Sequence, residues 1–204
     1  MYKHQEKTLS KALTALTALS IFALLFILMW WAVYGEMAGY EASQKKEYRK
    51  AVVLWTPLAW GGSGYAQFAL AHSYETGRGV DANHDVAVKW YTKAAEKGEA
   101  GAQFNLGEKY RKGFGIPKDS AKAIYWLTKA ANLKVASAEN NLGKMYSDGD
   151  GLPQDVMIAS FWFYSAIANG DVTAWDNLLR VEQSMTSEQI EQAKIMFLQN
   201  DYCQ

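Results

Sequence analysis

Cysteine is almost absent from this chain. Cys203 stands alone, which excludes an intramolecular disulfide and any zinc site built on cysteine. Proline is nearly as rare, three residues in 204, while half of the residues are hydrophobic. That combination argues against disorder and for a helical, well-packed chain. Net charge is missing too. Lys plus Arg and Asp plus Glu both number 21, so no global charge points to nucleic acid or to an anionic membrane surface. The three histidines, His4, His72 and His84, form no His-x-x-x-His or Glu-x-x-His spacing, which removes the usual helical metal triads.

One long stretch lacks charge altogether. From Ala12 to Val33, "ALTALTALSIFALLFILMWWAV" runs for 22 residues with only Thr14, Thr17 and Ser20 as polar members. Their hydroxyls can bond to a carbonyl one turn back. As a helix the run spans roughly 33 Å, enough for a hydrocarbon core of ~30 Å. Trp30, Trp31 and Tyr34 close it where an interfacial aromatic belt belongs. A buried core helix rarely stays uncharged so long, and a cleaved signal peptide has a shorter apolar run of ~7–15 residues. No A-x-A cleavage site follows in "YGEMAGYEA". The expectation is an uncleaved transmembrane helix over 12–34 after a cytoplasmic tail, 1–11. Lys3, Lys7 and Lys11 precede it, and the next ten residues carry Glu36 and Glu41 without a cation, which favours a cytoplasmic N-terminus. Lys45, Lys46, Arg49 and Lys50 follow a little later and count the other way. Residues 35–46 read as a linker.

The remainder repeats with a period of 36. "AQFALAHSYETGRGVDANHDVAVKWYTKAAEKG" from Ala66, "AQFNLGEKYRKGFGIPKDSAKAIYWLTKAANLK" from Ala102 and "AENNLGKMYSDGDGLPQDVMIASFWFYSAIANG" from Ala138 align without a gap. Leu70, Leu106 and Leu142, with Tyr74, Tyr110 and Tyr146 four residues on, share one face of a first helix. Ala71, Gly107 and Gly143 are small, as close helix approach requires. Paired glycines from Gly77, Gly113 and Gly149 onward end that helix. Val80, Ile116 and Leu152 plug the turn into the core. Asn83, Asp119 and Asp155 stand where the second helix needs an N-cap. Trp90, Trp126 and Trp162 are the expected large anchors of that second helix, opposite an alanine ridge. "EYRKAVVLWTPLAWGG" (47–62) matches a second helix alone, and "TSEQ" at Thr186 to Gln189 is a capping box. The expected solenoid covers 47–200: a half-repeat 47–62, full repeats 66–101, 102–137 and 138–173, and a cap 174–200.

"AQFNLGEKYRKGFGIPKD" and "AVKWYTKAAEKG" resemble the two halves of the Sel1-like repeat, a relative of the tetratricopeptide repeat, and the resemblance covers about Glu47 to Asn200. Lys134 replaces the closing glycine in the second repeat and Ile167 replaces an alanine in the third, which leaves the packing there open. The resemblance implies an all-α, right-handed superhelix of antiparallel helix pairs that binds other proteins and assembles complexes. Many bacterial members look like envelope or signalling adaptors. Disulfide-rich members have been linked to β-lactam binding, but their paired cysteines are missing here.

No catalytic constellation emerges. "GGSGY" (Gly61 to Tyr65) is no nucleophile elbow, since Tyr65 holds the second glycine's place, and it lacks the Gly-Lys-Ser/Thr ending of a phosphate loop. Its ordinary reading is a turn. "DGDGLPQD" (Asp148 to Asp155) looks like a calcium loop, yet an EF-hand in that register starts at Tyr146 and ends at Met157, both non-ligands. No cofactor, small-molecule substrate or enzymatic activity is expected. By tetratricopeptide geometry, first-helix positions that vary between repeats specify a partner. They are Phe68, Ala69, His72 and Glu75, then Phe104, Asn105, Glu108 and Arg111, then Asn140, Asn141, Lys144 and Ser147. Phe68 and Phe104 read either as anchors for an apolar side chain or as core. Asn105 and Asn141 read either as partners for an extended peptide backbone or as solvated amides. Thr14 and Ala18, with Ala12 and Ala15, form a small ridge suited to helix contacts in lipid. The expected function is a membrane-anchored scaffold or adaptor in the bacterial inner membrane with periplasmic repeats, bound to the bilayer through 12–34 and to other proteins. A regulatory binder of a signalling or secretion protein is the nearest alternative. A hydrolase acting on cell-wall or antibiotic-like substrates is the other class, and it requires clustered titratable groups that the sequence does not supply.

Overall fold

The structure, a computed structural model of the chain, describes residues 20–23 and 33–202. The expected tail and most of the expected membrane helix lie outside the described residues, and 20–23 and 33–34 are helical. Among the described residues no helix is long and apolar enough to cross a membrane. Ten helices follow from residue 33: α1 (33–44), α2 (Tyr48–Trp60), α3 (Gly64–Thr76), α4 (His84–Glu96), α5 (Ala100–Lys112), α6 (Ser120–Asn132), α7 (Ala136–Asp148), α8 (Val156–Ala168), α9 (Ala174–Glu182) and α10 (Ser187–Tyr202). Each of α2 to α9 packs mainly on its sequence neighbours, and α10 folds back onto α8. That nearest-neighbour arrangement is a solenoid.

The repeats are cut to one length by their ends. α3 to α8 all hold 13 residues. Asn83, Asp119 and Asp155 accept from backbone N–H groups in the first turns of α4, α6 and α8, as the sequence predicts. Each such cap is worth about 1 kcal/mol. At the other end, Arg78, Phe114 and Asp150 donate their N–H to Ser73, Lys109 and Met145 carbonyls, closing the same turn three times.

The second glycine of each turn has a role that the sequence did not reveal. A Cβ on Gly79 would stand 2.5 Å from the Tyr48 carbonyl carbon, one on Gly115 3.0 Å from His84 Cβ, and one on Gly151 2.1 Å from Ser120 Cβ. Tyr48, His84 and Ser120 are the first residues of α2, α4 and α6. The turn of one repeat therefore presses on the second helix of the repeat before it, and only a missing side chain permits that approach. Lys134 stands where Gly98 and Gly170 stand in the flanking repeats and takes the same left-handed backbone, φ 61°. The strain is about 1 kcal/mol, and the turn keeps its shape.

The core runs along the contact between paired helices. Leu70, Leu106 and Leu142 are fully enclosed, and so are Tyr91, Leu127 and Phe163. The expected anchors Trp90, Trp126 and Trp162 sit one residue earlier and are less completely covered in the last two repeats. The small residues Gly107 and Gly143 face Leu127 and Phe163 directly.

Residues 35–46, expected as a linker, are helical as far as 44. α1 is a working part of the solenoid. Ala42 is buried, a Cβ on Gly35 would meet Leu58 at 3.0 Å, and Trp55 fills the space beside Gly39. Glycines at 35 and 39 let α1 approach α2 closely, so the chain between 33 and 47 forms a helical hairpin with the half-repeat. At the far end the capping box forms as expected: Thr186 N donates to Gln189 Oε1 at 2.9 Å and Gln189 N to Thr186 Oγ1 at 3.2 Å.

Candidate protein-binding face

α3, α5 and α7 are the first helices of the three repeats, and variable positions of α3 and α5 line two clefts, while those of α7 line neither. The first, about 410 Å³, is lined by Phe68, Ala69 and His72 from α3, with Tyr40, Trp55 and Arg78 among its other walls. The second, about 280 Å³, is lined by Glu75, Phe104, Asn105 and Glu108, together with Lys109, Lys112 and Phe114. Seven of the twelve residues expected to specify a partner thus line the two clefts.

The phenylalanines pack on the core and also line the clefts. Phe68 is half-buried, with its ring 5.9 Å from that of Tyr91 and its edge against Gly101. Phe104 is half-buried against the cluster of Leu127 and Leu142. Each completes the core with one side and lines a cleft with the other. His72 is exposed.

The polar residues are bonded to one another across repeats. Glu75 accepts from Tyr91 Oη at 2.7 Å and from Lys109 Nζ at 2.5 Å, which ties the first repeat to the second. Lys109 is only 4 % exposed. Burial opposes ionisation of Glu75, but the bonds from Lys109 and Tyr91 outweigh it and hold the carboxyl below its usual range. Burial, with the Glu75 carboxylate beside it, pushes the Tyr91 phenol up. Glu108 receives Arg111 in a two-pronged contact, 2.7 and 3.0 Å, Lys112 at 2.6 Å and Asn141 Nδ2 at 2.8 Å. There too burial is outweighed by the cations, and the carboxyl is held low. Asn141, expected to reach a peptide backbone or water, is instead bonded to Glu108 inside the protein, whereas Asn105 is half-buried and lines the second cleft.

Asn140 must be taken off the binding surface. It is 3 % exposed, donates to Asp171 Oδ2 at 2.9 Å and Thr173 Oγ1 at 3.0 Å, and accepts from Asn177 at 2.9 Å. The turn before α9 and α9 itself cover the position that in earlier repeats stays half open. Lys144 is exposed; burial opposes ionisation of Asp171, but bonds from Thr173 and Asn140, with a smaller contribution from the Lys144 charge, outweigh it and hold the carboxyl low. Ser147 is half-buried, and its carbonyl accepts from Gln154 at 2.8 Å. Ala69 is core.

Some cleft residues escaped the sequence reading. Tyr40 and Lys46 come from the stretch taken for a linker, and Trp55, Tyr48 and Arg78 come from a half-repeat and a turn. Lys109 had a visible signal, for it stands at the place of Ser73 and Met145, three residues beyond buried Leu106, where a charge needs a buried partner. "DGDGLPQD" is structural. Asp150 Oδ1 accepts from Lys118 at 3.0 Å and Ser120 at 3.1 Å, bracing the turn against the preceding repeat. Among the described residues no group of three or more His, Cys, Asp or Glu is placed to hold a metal ion.

Comparison with known proteins agrees with this geometry. The Sel1 repeat family model matches residues 64–99, 100–135 and 136–171, together more than half of the chain and starting two residues before the repeats drawn from Ala66. A Sel1 repeat protein from Oxalobacter formigenes is 32 % identical, with a TM-score of 0.70; the match covers 81 % of this chain and 70 % of that one. A protective antigen present in uropathogenic Escherichia coli strains, displaying an SLR fold, is 30 % identical with a TM-score of 0.59. That match covers 82 % of this chain, which spans only 45 % of the antigen's. No curated protein matches. With three matched repeats in one register and the same helix-pair stack, the chain belongs to the Sel1 repeat family.

Proposed function

We propose that this chain is a membrane-anchored protein-binding scaffold or adaptor, a subunit or assembly factor of a bacterial envelope complex, with its tail in the cytoplasm and its repeats in the periplasm. Sel1 repeats mediate protein–protein interaction, and the fold is typically a non-enzymatic scaffold. The observation that carries the reading is the division of labour on the first helices. Positions constant in all three repeats are spent on packing, while Phe68, His72, Glu75, Phe104, Asn105 and Glu108 stand at positions that are not constant across the three and line two clefts. The ion pairs beneath them fix their geometry, so little ordering entropy is lost on binding. The uncharged run from Ala12 to Val33 and the three lysines before it support the anchor and its direction. Confinement at the bilayer raises effective concentration, so a modest affinity suffices for a partner in the same membrane.

The test is photo-crosslinking in cells from a reactive residue at His72, with Lys89, exposed on α4, as the control. His72 should capture a defined protein that Lys89 does not. Capture from Lys89 alone would move the binding face to the second helices, and capture from neither would remove the scaffold reading. A reporter fused at Gln204 and active only in the cytoplasm would, if active, reverse the proposed direction.

A further inference from the structure

One edge of the solenoid gathers large exposed side chains around the point where the chain enters it. α1 and α2 run antiparallel, with Gly35 against Leu58 and Glu36 accepting from Ser63 Oγ at 2.5 Å. Val33 and Tyr34 therefore stand level with the C-terminal end of α2. Trp60 lies there, 72 % exposed, and Val33, Tyr34 and Met37 on α1 are exposed as well. Lys93 Nζ sits 4.9 Å from the Trp60 ring, which places a cation beside the indole. Two of the acids near this edge are engaged inward, while Glu96 at the end of α4 is exposed. Glu36 bonds Ser63, and Glu99 is half-buried, its carboxyl pushed up by burial and by Glu36.

An exposed indole flanked by a lysine matches the headgroup region, where an amphipathic ring and a snorkelling cation are both accommodated. The apolar run ending at Val33 delivers the chain to this same edge. Between α1 and α2 there is only the turn at 45–47, and Gly39 is packed tightly on Trp55, so no slack separates entry point and solenoid. We propose that this edge, centred on Trp60 with Tyr34, Met37 and Lys93, rests in the headgroup layer of the bilayer, seating the solenoid on the membrane in one orientation. The proposal rests on reading 12–34 as a spanning helix. A 13-residue helix such as α3 is ~20 Å long, against ~5–8 Å for a headgroup layer. The turn at the far end of α3, with exposed Asp81, is then held in water.

The test uses the full chain in phosphatidylcholine vesicles, carrying Cys203→Ser and a nitroxide at Trp60→Cys, Met37→Cys or Asp81→Cys in turn. Oxygen and a water-soluble nickel chelate report lipid and water exposure. The labels at 60 and 37 should favour oxygen over the chelate by several-fold relative to the label at 81, in variants that keep the parent's circular dichroism and melting temperature. Two positions guard against a substitution that fails to fold. Chain that floats with vesicles while all three labels are equally open to the chelate overturns the seated edge and leaves the anchor standing. Oxygen preference at all three overturns it as well. Chain that does not float at all overturns both.

Discussion

Replacing Lys109 by methionine removes the charge that links the first two repeats and nothing else of bulk. Met145 occupies the equivalent place in the third repeat and is fully covered there, so the substituted side chain has a precedent for its fit. The cost lies in Glu75, which keeps Tyr91 and loses Lys109. Stripping one partner from a fully buried pair costs ~3–5 kcal/mol. The Glu75 side chain retains 27 % exposure, so water recovers part of this, and about 1–3 kcal/mol is expected. At this size that lowers the melting temperature by roughly 3–9 °C. Combining Lys109→Met with Glu75→Gln should restore most of the loss, with a coupling of about 1–2 kcal/mol in the cycle. The pH dependence has a fixed sign. The folded Glu75 carboxyl is held below its unfolded value of ~4.3, so its contribution is complete above that value and is lost as pH falls on through the lower folded value. Parent and Lys109→Met should therefore converge in acid, once pH lies below the depressed folded value. Thermal melts followed by circular dichroism, at neutral and acid pH, measure both. Additive single effects, or a Lys109→Met variant at least as stable as the parent at pH 7, would refute the reasoning and leave apolar packing alone as the coupling between repeats.

Other outcomes follow from the same geometry. Gly143→Ala puts a Cβ 2.5 Å from the Phe163 ring; overpacking of ~1–3 kcal/mol, less the ~1 kcal/mol gained in helix propensity, gives a net loss of up to about 2 kcal/mol by urea denaturation. Gly151→Ala meets Ser120 at 2.1 Å and should lower the melting temperature more than Gly170→Ala, which meets nothing within 4 Å and incurs only the left-handed strain of ~1–2 kcal/mol. Asn140→Ala leaves the polar groups of Asp171, Thr173 and Asn177 without their shared partner and should cost ~1–3 kcal/mol, freeing α9 in hydrogen exchange before the rest. Millimolar calcium should leave the melting temperature unchanged, because Asp150 is occupied by Lys118 and Ser120; a rise of several degrees would reassign the loop as a metal site.

The helix pairs were legible because local chemistry dictates them. Caps at Asn83, Asp119 and Asp155 and glycines at 36-residue spacing act on the nearest turn, and periodicity makes one correct reading serve three times. The binding face was legible only in part. Phe68, His72, Glu75, Phe104, Asn105 and Glu108 line clefts, but Asn140 is covered, since α9 packs over the last first helix and repeat equivalence fails at the end of a stack. α1 was missed because its pattern is weak: Gly35 and Gly39 read as linker residues until α2 is seen to lie against them.

The sequence alone determined the period, the helix ends, the family and an uncharged run long enough to span a bilayer, because each depends on residues within a turn or two of one another. The tertiary structure decided which equivalent residues differ in fate. Glu75 pairs with Lys109 and Asn141 with Glu108 across 34 and 33 positions, and Gly79, Gly115 and Gly151 set the stacking against a neighbouring repeat. Those contacts join segments distant in the chain, and their partners are fixed only when one repeat is laid on the next.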